Sequence, residues 1–158
     1  MTTTEKVRVE TTRFGPVEVD PSYVITFAGG IIGFENCRRF AVLQHDDRSP
    51  FRWLQSIDDG AVAFPVMDPQ IFLPDYNPPI PARDAKELHL SDGQRPLVLA
   101  IITVPRANPR ALTANLLGPV VINAETRAGK QVILDDNCRY TTRYDLLPAL
   151  SSALAAAA

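Results

Sequence analysis

Fourteen of the 158 residues are proline, and five of these fall between Pro69 and Pro81. Each proline fixes φ near about −65° and removes a backbone donor, which keeps it out of helix interiors and the middle of sheets. A chain with so many breakers is not a helical bundle or a coiled coil. It still holds enough apolar material for a packed interior, with 46 % hydrophobic and 22 % charged residues. At this length a single domain buries about 69 % of the surface its unfolded chain exposes. No apolar run approaches the ~18 residues of a membrane span. The start, Met1 to Lys6, lacks a basic segment followed by an apolar one. The expectation is a cytoplasmic protein with no membrane association.

Charge and reactive residues narrow the function classes. Sixteen lysines and arginines against eighteen acids give a net charge of −2, whereas phosphate-neutralising proteins carry a clustered positive excess. Direct nucleic-acid binding is therefore not expected. The charge is uneven: residues 44–76 hold six aspartates and two arginines, while residues 127–143 carry a net +2. That acidic stretch reads either as turn aspartates bonding to local amides or as a docking face. Cys37 and Cys138 form neither a CxxC pair nor half of a four-ligand set, so two buried thiols are expected. His45 and His89 are the only imidazoles.

The remaining pattern is one of short strands. Val7 to Thr11 and Val17 to Val19 alternate around Phe14-Gly15-Pro16, which predicts a hairpin. Tyr23 to Phe27, Phe40 to Gln44, Phe51 to Ser56 and Ala61 to Met67 follow, separated by turn residues, and Phe34 to Arg39 reads as one short helical turn. Pro65 places the fourth of these runs at an edge or bulge. Arg83 to Leu90 predicts the one credible helix, with His89 at its end. Leu97 to Val104 is an unbroken run of β-branched and aliphatic residues, typical of a strand buried on both faces. Leu112 to Leu116, Val120 to Asn123 and Gln131 to Leu134 complete the set. About ten short strands with one or two short helices and no βαβ period predict an all-β fold, a small antiparallel β-barrel spanning residues 1–145. Residues 146–158, rich in alanine, read as a frayed or partly helical tail.

Catalytic chemistry finds little footing. Asp46/Asp47, Asp58/Asp59 and Asp135/Asp136 are sequence neighbours in turns, where paired-carboxylate hydrolysis needs two acids facing each other across a cleft. No GxSxG elbow surrounds a serine, zinc would need four separated segments, and Asp135-Asp136-Asn137 lacks the rest of a calcium loop. Gly29, Gly30 and Gly33 lack the Lys-Ser/Thr pair of a phosphate loop. No cofactor, metal or small-molecule substrate is expected, and the reading is a binding protein. The competing class is a small all-β hydrolase or carbohydrate-binding domain using the turn aspartates. Arg139 and Arg143 around Tyr140 could stack on bases, a minor alternative given the net charge.

The segment Asp68 to Pro81 must be extended, yet carries Ile71, Phe72, Leu73, Tyr76 and Ile80. Such a loop packs or binds. Aromatic anchors beside an acid on a stiffened loop have the composition of an interaction hot spot, and the same aromatics could instead fold back as a lid. We expect partner contacts at Phe72, Asp75 and Tyr76, supported by Asp58 and Asp59.

Several short elements in one order carry a resemblance. They are Phe14-Gly15, Gly33-Phe34-Glu35, Ser49-Pro50-Phe51 with Leu54-Gln55-Ser56, and Asp68-Pro69 with Asp75-Tyr76. They continue with Ile102-Thr103-Val104, Thr113-Ala114-Asn115-Leu116, Pro119 to Asn123, and Gly129-Lys130-Gln131-Val132. From about Val7 to Arg143 the chain resembles the FliW family of flagellar assembly factors, differing at Ile31-Ile32 and at both ends. The resemblance implies a cytoplasmic, non-enzymatic β-barrel that binds newly made flagellin in a chaperone-like way. It also implies binding and antagonism of the translational regulator CsrA, with exchange of the two partners coupling flagellin synthesis to assembly.

Overall fold

Period-two alternation produces the first two strands, Val7–Thr11 (β1) and Gly15–Val19 (β2), paired antiparallel with Val9 opposite Val17. Their turn is held by the Thr11 hydroxyl, which accepts from the Phe14 amide (2.8 Å) and donates to the Gly15 carbonyl (2.7 Å). Gly15 sits there at φ +69°, a conformation that costs glycine little. The computed structural model describes residues 5–44, 48–108, 110–135 and 139–148. Of the expectations above, those on Asp46, Asp47, Asp136, Asn137 and Cys138 lie outside these residues, as does the tail beyond Pro148.

Seven further strands close into a barrel. They are Ile25–Phe27 (β3), Arg39–Leu43 (β4), Arg52–Ser56 (β5), Ala63–Met67 (β6), Leu97–Thr103 (β7), Thr113–Asn123 (β8) and Ala128–Gln131 (β9). The order runs β8-β7-β6-β5-β4-β3-β9, and β9 pairs back with β8. A two-residue strand, Tyr144–Asp145 (β10), adds to the first half of β8. The all-β barrel of about ten short strands is thus present. One seam is not antiparallel: β3 and β9 run parallel, with Thr26 opposite Ala128 and Phe27 opposite Gly129.

Inside the barrel, Ile25, Phe27, Phe40, Leu54, Val66, Leu99, Val120 and Ile122 form one buried cluster. Each comes from the inward half of its strand's alternation, and each contributes about 1.5–3 kcal/mol by leaving water. Trp53, one residue from Leu54, points out of the barrel and is covered by the β1–β2 hairpin. The Arg13 guanidinium lies 4.1 Å from its ring centre and Phe14 meets its edge at 5.8 Å. The Thr12 amide donates to the Gly60 carbonyl. A side chain on Gly60 would stand 1.8 Å from the Glu10 carbonyl oxygen, so glycine is what lets the hairpin sit this close.

β7 is buried on both faces, as its aliphatic run predicts. Leu99 faces the barrel interior, while Ala100 and Ile102 join Met67, Phe72, Tyr76, Ala114, Leu116 and Leu146 in a second cluster outside the wall. A third cluster, Leu88, Val121, Val132 and Leu134, lies beneath the helix Ala82–Glu87 (α1). This helix is shorter than the span Arg83 to Leu90, because His89 takes a left-handed φ of +57° and ends it.

Two expectations are corrected. Leu112 to Leu116 and Val120 to Asn123 are one strand, β8, not two. Between Asn115 and Val120 it bulges, so that its first half pairs with β10 and its second half with β9. The Asn115 side chain accepts from the Leu117 and Gly118 amides, and Gln131 donates to the Gly118 carbonyl, which satisfies the backbone the bulge frees. Phe34 to Arg39 forms turns without a helix. Of the segment expected to be a frayed or partly helical tail only residues 146–148 are described; they are helical, and Leu146 is fully buried with its amide donating to the Leu112 carbonyl.

Candidate partner-binding site

The proline-rich segment begins where β6 ends. The Asp68 carboxylate accepts the Gln70 amide (2.9 Å) and starts a 3₁₀ turn, Pro69–Ile71. The chain then turns inward. Phe72 stacks on Tyr144 at 5.7 Å, and the Tyr76 ring meets the edge of Tyr140 at 4.6 Å. The Tyr76 hydroxyl donates to the Leu116 carbonyl at 2.7 Å. The Gln70 side chain donates to the Tyr76 carbonyl, and the Asn77 amide to the Tyr140 hydroxyl. Phe72 is 5 % exposed and Tyr76 2 %.

These geometries correct the expectation that the two aromatics are presented to a partner. The outer face of β7 and β8 is apolar and needs a cover, and the loop supplies it. Phe72 and Tyr76 brace the loop from beneath. Tyr140 is likewise engaged with Tyr76, with the Arg139 guanidinium 5.8 Å from its ring centre.

Asp75, between the two braces, is exposed and makes no hydrogen bond or ion pair to another described residue. It stands on a ridge between two depressions. One, of about 220 Å³, is lined by Leu73, Arg139, Thr141 and Tyr144. The other is a cleft of about 670 Å³ whose walls are the proline-rich segment and the run Arg95-Pro96-Leu97-Val98. Ile80 and Leu97 contribute apolar surface to its lining, and Arg95, also without a described partner, lines it too.

The strand ladder explains the cleft. β7 starts at Leu97 but meets β6 only at Ala100 and Ile101, opposite Met67 and Val66. Asp68-Pro69 then carries the chain away, so Leu97, Val98 and Leu99 have β8 on one side and no strand on the other. Pro65 falls just before the β6–β7 ladder begins, where its missing amide costs no bond to β7.

Asp58 and Asp59 lie at the other end of β6, about 17 Å away by the rise of a five-residue strand, so the structure does not bring them to Asp75. The Asp58 carboxylate accepts from the Arg38 and Arg39 amides (2.8 and 2.9 Å) and from the Arg39 guanidinium. Partial burial pushes its pKa up, but these donors outweigh that and hold it below the usual carboxylate value. Asp59 accepts the Ala61 amide. Asp59 thus closes the β5–β6 turn, while Asp58 ties that turn to the start of β4. A general acid needs the opposite shift to the one Asp58 has.

A third depression, of about 370 Å³, separates the Ala28–Gly30 loop from β9 and α1. Lys130 on its wall is paired with Asp84 and Glu87. Burial alone would lower the Lys130 pKa, but the two carboxylates raise it. Gly30 packs against the Glu35 backbone and Gly129 against the Phe27 ring, so these glycines serve close packing.

Comparison with known proteins decides the family. The model of the FliW protein family matches residues 8–146. The chain belongs to the FliW family. The flagellar assembly factor FliW of Syntrophus aciditrophicus is 40 % identical over 141 residues, covering 89 % of this chain and 88 % of the relative. That of Moorella thermoacetica is 41 % identical over 140 residues, with the same shares. A crystal structure of the flagellar assembly factor FliW superposes with a TM-score of 0.81 at 33 % identity, over 89 % of this chain and 97 % of the other. No helix among this chain's described residues is long and apolar enough to cross a membrane.

Sequence reasoning missed Arg95, Leu97 and Val98 as cleft residues. The signal was present: the aliphatic run from Leu97 is longer than the neighbouring run broken by Pro65, so part of it has to lack a partner.

Proposed function

We propose that this FliW-family chain is a cytoplasmic, non-enzymatic adaptor that binds flagellin in a chaperone-like way and holds CsrA until flagellin displaces it. Family membership over residues 8–146 supports the role in flagellar assembly. The observation that carries binding, as opposed to catalysis, is the ridge at Asp75. An exposed carboxylate with no partner among the described residues is held on a loop whose aromatic side chains are spent on bracing, so little ordering cost remains when a partner arrives. An exposed acid suits a basic partner such as an RNA-binding regulator, because opposite potentials raise encounter rates.

In this reading flagellin scarcity leaves the factor on CsrA, and accumulating flagellin frees CsrA to repress flagellin translation. The test is calorimetry of the purified chain with flagellin and with CsrA, followed by addition of flagellin to the preformed CsrA complex. Binding of both and release of CsrA are expected. Failure to bind either partner would end the adaptor reading, and a stable three-protein complex would end the exchange step.

A further inference from the structure

We infer that the cleft beside Asp75 binds an extended peptide segment by strand addition, the segment continuing the line of β6 along the free edge of β7. The inference rests on the adaptor reading and names the form in which a protein partner would be held. Three observations on the same wall lead to it. Leu97, Val98 and Leu99 are a strand edge with β8 on one side and nothing paired on the other. A cleft of about 670 Å³ lies along that edge, with Leu97 and Val98 in its lining. Its far wall is the segment Pro69 to Ile80, fixed by prolines and by the Tyr76 and Phe72 anchors, so it stays open without collapsing onto the edge.

An edge of this kind recognises backbone. The unpaired length is three residues, about 10 Å of strand, which suits a segment of three or four residues. Main-chain bonds supply affinity and alternate side chains supply choice. The apolar lining at Leu97 and Ile80 favours aliphatic or β-branched residues in alternation. Asp75, exposed and without a partner among the described residues, and Asp68 in the same lining favour a lysine or arginine next to them. The edge is guarded in the usual manner: Pro96 directly precedes it and Arg95 stands at its entrance, features that discourage pairing with a second copy of the chain. The occupant is therefore an extended, basic, β-prone stretch of a partner protein.

The test uses the full-length, 15N-labelled chain and the synthetic peptide Val-Lys-Val-Thr-Val-Lys, with a version N-methylated at alternate amides as control. The unmodified peptide should shift the amide resonances of Leu97, Val98 and Leu99 and slow hydrogen exchange at those of them whose N–H points away from β8. The N-methylated peptide should leave them in place, and Asp75→Asn should weaken the unmodified peptide about threefold, the scale of an exposed ion pair. Equal binding of both peptides, or shifts confined to other parts of the surface, would overturn strand addition. If flagellin and CsrA bind the chain in calorimetry while the peptide leaves the Leu97–Leu99 amides unmoved, only this inference fails. If neither protein binds, the adaptor reading fails with it.

Discussion

Replacing Tyr76 by phenylalanine separates a brace from a contact. The variant keeps the ring in its slot against Tyr140 and deletes the hydroxyl that donates to the Leu116 carbonyl at 2.7 Å. That carbonyl belongs to a fully buried residue at the start of the β8 bulge, so the loss has two parts. The hydrogen bond itself is worth about 1 kcal/mol net, and a buried acceptor left without a donor costs about 1–3 kcal/mol. A loss of roughly 2 kcal/mol is expected, which for a domain of this size lowers the melting temperature by about 4–8 °C. The affinity for flagellin or CsrA at 25 °C should not change. Even if only about 3 kcal/mol of stability remained, some 99 % of the molecules would still be folded. The assays are thermal unfolding followed by circular dichroism, and calorimetry on the same preparations. An unchanged melting temperature with a clear loss of affinity would refute the argument, because it would mean that the hydroxyl faces a partner and not Leu116.

Three other perturbations test other parts of the fold. Gly129→Ala places a Cβ 2.7 Å from the Phe27 ring at the parallel seam, and should cost roughly 1–3 kcal/mol in urea unfolding through overpacking. Lys130→Met strips the nearly buried Asp84 carboxylate of its cation and should cost about 3 kcal/mol; adding Asp84→Asn should recover part of that, since the stranded charge goes too. For Asp58 the sign follows from its lowered pKa. Its stabilising bonds are intact above the unfolded value of about 3.9 and are lost as pH falls through the lower folded value. Asp58→Asn should therefore be less stable than the parent at pH 7, and the gap between their urea midpoints should narrow below about pH 4.

The legible parts of the fold were those fixed by periodicity and by backbone chemistry. The run Leu97 to Val104 announced a strand buried on both faces because its first six residues are all aliphatic, and its middle, Leu99 to Ile102, is where the burial falls. Pro65 announced an incomplete ladder because proline cannot donate. The hairpin of β1 and β2 followed from alternation on either side of Gly15. What stayed hidden was which partner an apolar residue finds. Phe72 and Tyr76 on a proline-rich loop have the same composition whether they face a partner or the chain's own outer wall. The choice depends on β7 and β8 having an uncovered apolar face, a tertiary fact. A tyrosine hydroxyl that has to find a buried acceptor was the one local hint, and it needed Leu116 in place to be read. Asp58 and Asp59 share one acidic stretch with Asp75, yet β6 lies between them and separates them. Gly118-Pro119 looked like a break between two strands because a bulge uses the same residues as a turn.

The parallel seam between β3 and β9 joins residues roughly a hundred positions apart in the chain. During synthesis, β3 to β6 can pair as each leaves the ribosome, but the cylinder stays open until Gln131 has emerged. Until then the nascent sheet shows a free margin at β3, of the kind that invites stray pairing. The last quarter of the polypeptide thus acts as a zip, and translation that stalls before it would leave a sticky ribbon in place of a finished protein.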